Sequence, residues 1–374
     1  MRRKKLILGV TLGGSSRLLD GQPQYFKNLG YDVFLTSQEH TKGVVFCEKE
    51  GISYLPVTID KEINPLLDIK TLFQLIKHFR KVKPEVVNLG TPKMGLLGIL
   101  AATIVGIEKR VYTCRGHRYE TEAGFKRKIL MWVERLTAKC ATDVIYVSKS
   151  LYNNALINKL AYPEKSHIIG EGSSNGIDIE FFNRNAIDTA KQNELIQNLN
   201  LKEKFVIGFV GRISLHKGVY ELIEAFEDIY ENHTNSRLIL MGHIDCDGKF
   251  EERFRSHPGI IHIPFQDDVP LYMSLFDIFV LPSWREGFPN VPIQAAAMGL
   301  PVIVSDATGC VDSVEDNVNG IVFPCKNPSA LKAALESYIE NPSLIKKHGE
   351  NGLKWAGSFS QKRIWNGINE IYKL

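Results

Sequence analysis

The chain has 374 residues, 24% of them charged and 44% hydrophobic, with a net charge of +4. That composition excludes a disordered, collagenous or disulfide-stapled chain, and the length allows two domains with full cores. Charge is divided unevenly: residues 1–165 hold 27 Lys+Arg against 15 Asp+Glu, and residues 166–374 hold 19 against 27. A basic half suits an anionic partner such as a phosphorylated substrate, an acidic membrane surface or nucleic acid. In chain order, strands are predicted at Leu6–Thr11, Asp32–Thr36, Glu85–Leu89, Val111–Cys114 and Val144–Val147. Between them fall a helix Leu18–Leu29 closed by Gly30, an amphipathic helix Leu66–Val82 and further helical runs. Gly170–Gly176 is irregular and reads as a hinge. The alternation then restarts, with strands at Phe205–Val210, Arg237–Met241, Ile260–Ile263, Ile278–Leu281 and Val302–Val304. Helices are predicted at Val219–Tyr230, Val269–Leu275, Val291–Met298, Pro328–Tyr338 and Gln361–Leu374. Such a pattern predicts an α/β protein of two Rossmann-like halves with parallel sheets, facing each other across a cleft.

The six cysteines, Cys47, Cys114, Cys140, Cys246, Cys310 and Cys325, form no C-x-x-C pair, so reduced thiols in a cytoplasmic protein are expected. The opening MRRKKLILGVTLGG imitates a signal peptide but reads better as strand, loop and helix start. The longest uncharged run, Met94 to Ile107, is 14 residues, short of the roughly 20 a membrane span requires.

Three loops carry chemistry. Gly13-Gly14 follows the first strand, where glycine lets backbone approach a ligand; it is not G-x-G-x-x-G, and a tight turn explains it equally well. Gly211-Arg212-Ile-Ser-Leu-His-Lys217-Gly218 follows the first strand of the second half and spaces a forked and a point charge for a diphosphate. Ser283-Trp-Arg-Glu286-Gly287-Phe288-Pro289-Asn290 joins a strand to an Ala-rich helix, placing a carboxylate at an anion-binding helix start. Phosphate beside a hydroxyl-binding carboxylate suggests a sugar nucleotide. Asp245-Cys-Asp247 imitates a metal-binding D-x-D pair, but two carboxylates alone are an incomplete site and no metal is expected.

GRISLHKG, LPSWREGFPNVPIQAAAMGLPVI and the hinge NGID resemble the retaining glycosyltransferases of family 4, with the GT-B fold, nearest to bacterial capsule and O-antigen enzymes of the CapM type. The resemblance covers essentially the whole chain. It implies an acceptor-binding domain at 1–170, a nucleotide-sugar-binding domain at 171–357 and a helix at 358–374 crossing back to the first domain. Arg212 and Lys217 would bind the donor diphosphate and Glu286 the sugar hydroxyls. Gly13, Gly14, Gly211, Gly287, Phe288, Pro289 and Asn290 would line the donor. The family's second glutamate, a ribose ligand, is Gln294 here. Arg115 stands at the family's active-site His, with His117 two residues on as a possible replacement. Arg cannot serve as a base but can bind phosphate.

The activity expected is metal-independent transfer of a sugar, N-acetylated in the first instance, from a UDP-sugar to a polyprenyl-diphosphate-linked saccharide in capsule or other surface-polysaccharide biosynthesis. No cofactor and no nucleic acid partner are expected. The basic first half, with Arg115, Arg118, Lys126, Arg127 and Lys128, would lie against the anionic inner face of the plasma membrane. A GT-B sugar-nucleotide 2-epimerase and a non-catalytic sugar-nucleotide-binding subunit are the rival readings.

Overall fold

The computed structural model describes residues 3–373. It divides into two compact units, the first comprising the chain up to Gly176 and from Gln361 onward, the second Ile177–Ser360. The expected boundaries at 170/171 and 357/358 fall a few residues ahead of these. In the first unit β1 (Lys5–Gly9), α1 (Gln22–Asn28), β2 (Asp32–Gln38), α2 (Thr41–Glu50), β3 (Ser53–Val57), α3 (Pro65–Val82), β4 (Val86–Gly90), α4 (Pro92–Val105), β5 (Lys109–Cys114), α5 (Gly124–Cys140), β6 (Asp143–Tyr146), α6 (Lys149–Ile157) and β7 (Ser166–His167) alternate. The second unit holds α7 (Thr189–Asn198), β8 (Phe205–Val210), α8 (Val219–Tyr230), β9 (Ser236–Met241), α9 (Gly248–Ser256), β10 (Ile260–Ile263), α10 (Val269–Met273), β11 (Ile278–Leu281), α11 (Asn290–Ala297), β12 (Val302–Ser305), β13 (Gly320–Phe323), α12 (Pro328–Ile339) and α13 (Pro342–Ala356). The last helix, α14 (Gln361–Tyr372), belongs to the first unit.

The two sheets have strand orders β3-β2-β1-β4-β5-β6-β7 and β10-β9-β8-β11-β12-β13, with every pairing parallel. Central strands are apolar on both faces, as a sheet covered by helices requires: β4 and β11 are buried at every residue. In each sheet the order in which the chain adds strands reverses once, between β1 and β4 and between β8 and β11. An α/β sheet opens its ligand crevice at that reversal, beyond the carboxyl ends of the two strands.

The expected helix Leu18–Leu29 is instead a 3-10 segment Gly13–Leu19 followed by α1. Gly21 interrupts them at φ +74°, a left-handed turn that glycine adopts freely. The Trp365 ring sits 2.9 Å from where a Cβ would be, and the Gly21 amide donates to Glu50 Oε1 at 3.0 Å. Gly21 and Pro23, in the first turn of α1, make the break locally, and Trp365 and Glu50 pack against it. Tyr372 of α14 is fully buried against Phe26, with ring centroids 5.0 Å apart, and its hydroxyl accepts from Asn88 Nδ2 at 2.6 Å.

Candidate functional site

In the second unit two loops meet at the sheet reversal. After β8 the chain makes a short turn, Leu215–Lys217, and enters α8 through Gly218 at φ +68°. A Cβ on Gly218 would lie 2.0 Å from the Pro282 carbonyl oxygen, so glycine lets this turn lie on the end of β11. The Trp284 amide donates to the His216 carbonyl at 3.0 Å and ties the loops together. Beyond that tie, Lys217 Nζ and Glu286 Oε1 form an ion pair. These residues, 69 positions apart, are brought together because β8 and β11 are neighbours.

Glu286 is held from behind. Its amide donates to the Thr308 carbonyl at 2.9 Å. Gly309, at φ +79°, packs so closely that a Cβ would lie 2.6 Å from the carbonyl oxygens of both Glu286 and Gly287. Cys310 lies buried beneath; burial, then the Glu286 charge, pushes its thiol well above the ordinary range. Trp284 donates through Nε1 to Glu221 at 2.8 Å, and Lys326 Nζ lies 4.0 Å over its ring. Pro289 is the N-cap of α11, with no capping side chain, and Asn290 begins the helix. Phe288 packs its ring 5.2 Å from Phe359, and Gln294 is half-buried on α11.

Arg212 stands apart from this pair. Its guanidinium meets Asp245 Oδ2 at 3.1 Å, with both side chains more than 60% exposed, so the contact adds little stability and leaves Arg212 able to change partner. Asp247 is the N-cap of α9, accepting from the Phe250 amide at 3.0 Å and from the Tyr220 hydroxyl at 2.7 Å. Those two bonds lower its pKa, the Tyr220 bond first. The D-x-D spacing thus serves an arginine and a helix end.

In the first unit, Gly13 is buried under His40, where a Cβ would approach to 2.8 Å, while Gly14 is exposed. Packing accounts for the first glycine, and Gly14 is the one open to a ligand. At the β1/β4 reversal Thr11 and Thr91 hydroxyls meet at 2.7 Å, and the Thr11 amide donates to Thr91 Oγ1 at 2.9 Å. Thr91 has φ +69°, a strained conformation for a β-branched residue, held by these bonds.

Arg115, at the end of β5, lies against Gly90 so tightly that a Cβ there would meet its Nη1 at 1.4 Å. Its Nε donates to Ser174 Oγ at 2.6 Å, while the buried Nη1 has no hydrogen-bond partner. Burial lowers its pKa to about 10, still a cation at neutral pH. A buried donor without an acceptor is costly, and it marks where an anion would be stabilised.

The structure removes His117 from solvent. It is 2% exposed, with Nε2 3.4 Å from Cys114 Sγ, Nδ1 3.2 Å from the Tyr119 hydroxyl and 3.5 Å from Glu120 Oε1. Cys114, His117 and Glu134 place potential ligand atoms within 4.8 Å of one another, a grouping hidden in the sequence because Glu134 comes from α5. Both Glu134 oxygens accept from the Tyr112 hydroxyl, at 3.1 and 3.0 Å, so the cluster closes on itself as a polar core. Of the basic cluster, Arg118 donates to the Lys61 carbonyl at 3.3 Å, Lys126 pairs with Glu122 at 2.7 Å, and Arg127 lies 5.5 Å from the Tyr119 ring. Sequence reasoning missed Gly90, Thr91, Ser174 and Gly309. A Gly at a strand end and a Gly-Cys after a Thr were the only local signals.

Residues 18–149 match the family described as glycosyl transferase 4-like, and residues 191–355 match glycosyl transferases group 1. The capsular polysaccharide biosynthesis glycosyltransferase CapM of Staphylococcus aureus is 34% identical over 377 residues, covering 100% of this chain and 97% of that protein. An Escherichia coli UDP-Gal:alpha-D-GlcNAc-diphosphoundecaprenol alpha-1,3-galactosyltransferase is 25% identical, covering 97% and 92%. Among solved structures, Anabaena HepE in complex with UDP superposes with a TM-score of 0.81 at 20% identity, covering 98% of both chains, and shares the GT-B fold.

Proposed function

The chain belongs to the glycosyltransferases that join a 4-like half to a group 1 half, and from that premise we propose that it moves a sugar, with retention, from a UDP-sugar to a lipid-diphosphate-linked saccharide in surface-polysaccharide biosynthesis. The observation that carries this reading is the Lys217–Glu286 pair at the β8/β11 reversal. A donor's diphosphate takes Lys217 and its sugar hydroxyls take Glu286, so one event exchanges the pair for two ligand contacts. The lysine then neutralises charge developing on the departing UDP, which is where positioned electrostatics lower a barrier most. Arg212 is free to leave Asp245 and join it. Gly211, Gly287, Phe288, Pro289 and Asn290 shape the donor pocket, and Gln294 holds the ribose through its amide. Arg115 offers its unpaired Nη1 to the acceptor's diphosphate.

The E. coli relative's name gives a UDP-sugar donor and a diphosphoundecaprenol acceptor, which supports this assignment of both substrate classes. The transferred sugar is taken as N-acetylated. The basic first half sets the enzyme against the anionic inner face of the plasma membrane. Arg212 and Lys217 supply the positive charge, so no metal cofactor is required, and activity persists in excess EDTA. Restoration of lost activity by Mn²⁺ or Mg²⁺ would overturn that assignment.

The test is incubation with UDP-sugars, with and without a polyprenyl-diphosphate saccharide. Acceptor-dependent release of UDP supports transfer. An epimerised donor would establish the epimerase instead, and binding without turnover a regulatory subunit. Calorimetry of Gln294→Glu should show retained or tighter UDP binding; lost binding would remove Gln294 from the ribose site.

A further inference from the structure

Helices α3, α4 and α5 lie side by side on one face of the first sheet, α4 packed between the other two. The outer surface of α3 is one stripe, with Leu66, Ile69 and Phe73 followed by Lys77, Arg80 and Lys81. On α5 the stripe is Phe125, Ile129 and Trp132, followed by Arg135 and Lys139. Along these stripes both helices are therefore apolar in their first half and basic in their second. Leu66 is 82% exposed, Phe125 77%, Phe73 66% and Trp132 61%. Single exposed apolar residues need no explanation, but a repeated stripe on two helices does.

Both helices return between parallel strands, so they start at the same edge of the sheet, the carboxyl edge. Arg115 and Arg118 follow β5 at that edge, and the Arg118–Lys61 bond joins their loop to the segment leading into α3. Lys61, Lys70, Lys126 and Lys128 are exposed there. The carboxylates Asp68 and Glu122 are engaged, with Lys93 and Lys126, each at 2.7 Å; Asp60 and Glu62 remain in the loop. A symmetric contact between two copies would set one basic rim against the other. An anionic bilayer satisfies both features, with apolar side chains below its headgroups and lysines among them.

We propose that the first halves of α3 and α5 insert Leu66, Phe73, Phe125 and Trp132 into an anionic bilayer, holding the Arg115 loop at its surface. This deepens the membrane reading above, which invoked charge alone. Attraction by charge fades with salt, whereas apolar insertion does not.

The purified full chain is tested on vesicles of mixed phosphatidylcholine and phosphatidylglycerol, at low salt and at about 1 M salt, where the screening length is about 3 Å. Wild type should remain partly bound at high salt. The variant Leu66→Ser, Phe73→Ser, Phe125→Ser, Trp132→Ser should partition at least tenfold more weakly at low salt and detach at high salt, with UDP binding unchanged. Lipids brominated on the acyl chain should quench wild-type fluorescence more than that of Trp132→Phe, a mild change that serves even if the fourfold variant does not fold. Equal partition of variant and wild type, or no difference in quenching, overturns the proposal. So does a wild-type dimer that the variant dissociates while its vesicle binding is unchanged. Failure of wild type to bind UDP would count against the proposed function and leave this surface to be judged by its vesicle binding.

Discussion

Lys217 and Glu286 form an ion pair, and that mutual dependence has a measurable consequence. In the role proposed for Lys217, as charge partner of the leaving group, Lys217→Ala should lower turnover by about 100-fold or more. Glu286→Ala should abolish transfer while leaving some UDP affinity. Each single change leaves its partner's half-buried charge uncompensated, so the double variant should lose less than the product of the two effects. Strictly multiplicative losses would mean that the pair does not act as a unit. At His117 burial lowers the pKa, but the Cys114 sulfur and the Glu120 and Glu134 carboxylates outweigh it and raise it to about 11. A raised folded-state pKa stabilises fully below the unfolded value of about 6.5 and ceases to as pH climbs through the folded one. The Tm deficit of His117→Asn should therefore be largest below about pH 6.5 and shrink toward pH 11. A deficit independent of pH would reduce His117 to a packing residue.

The elements that carry these residues are set by close backbone approach. Gly309→Ala would drive a Cβ to 2.6 Å from two carbonyl oxygens of the Glu286 loop, at a φ of +79° that alanine rarely adopts. Turnover should fall and Tm with it, although Gly309 itself is assigned no substrate contact; full activity would show that the loop tolerates displacement. On α9 the expectation is opposite. Asp247→Ala removes an N-cap, which should lower Tm without lowering turnover. A loss of turnover restored by added metal would return Asp247 to the active site. Strands such as Phe205–Val210 and Ile278–Leu281 were legible to the residue because unbroken apolar runs between turn signals have one reading. Leu18–Leu29 was misread because the local breakers Gly21 and Pro23 were passed over; Gly21 caps α1 in the left-handed region and Pro23 sits in its first turn.

At the scale of the molecule, α14 completes the first unit although it comes last in the chain. Tyr372→Ala empties a fully buried site beside Phe26 and strands Asn88, and should cost about 3–5 kcal/mol, the range for large aromatic truncations. Denaturant unfolding measures it, and a cost under 1 kcal/mol would show that α14 is dispensable.

The sequence by itself determined the two α/β halves, the loops that bear Arg212, Lys217 and Glu286, and the final helix, because hydrophobic period and turn chemistry are written residue by residue. Only the tertiary structure decided that Lys217 faces Glu286, that His117 is interior while Arg115 keeps a free donor, and that Asp247 caps a helix. Those facts depend on which strands are neighbours and which backbones touch, and residues 69 positions apart carry no local trace of it.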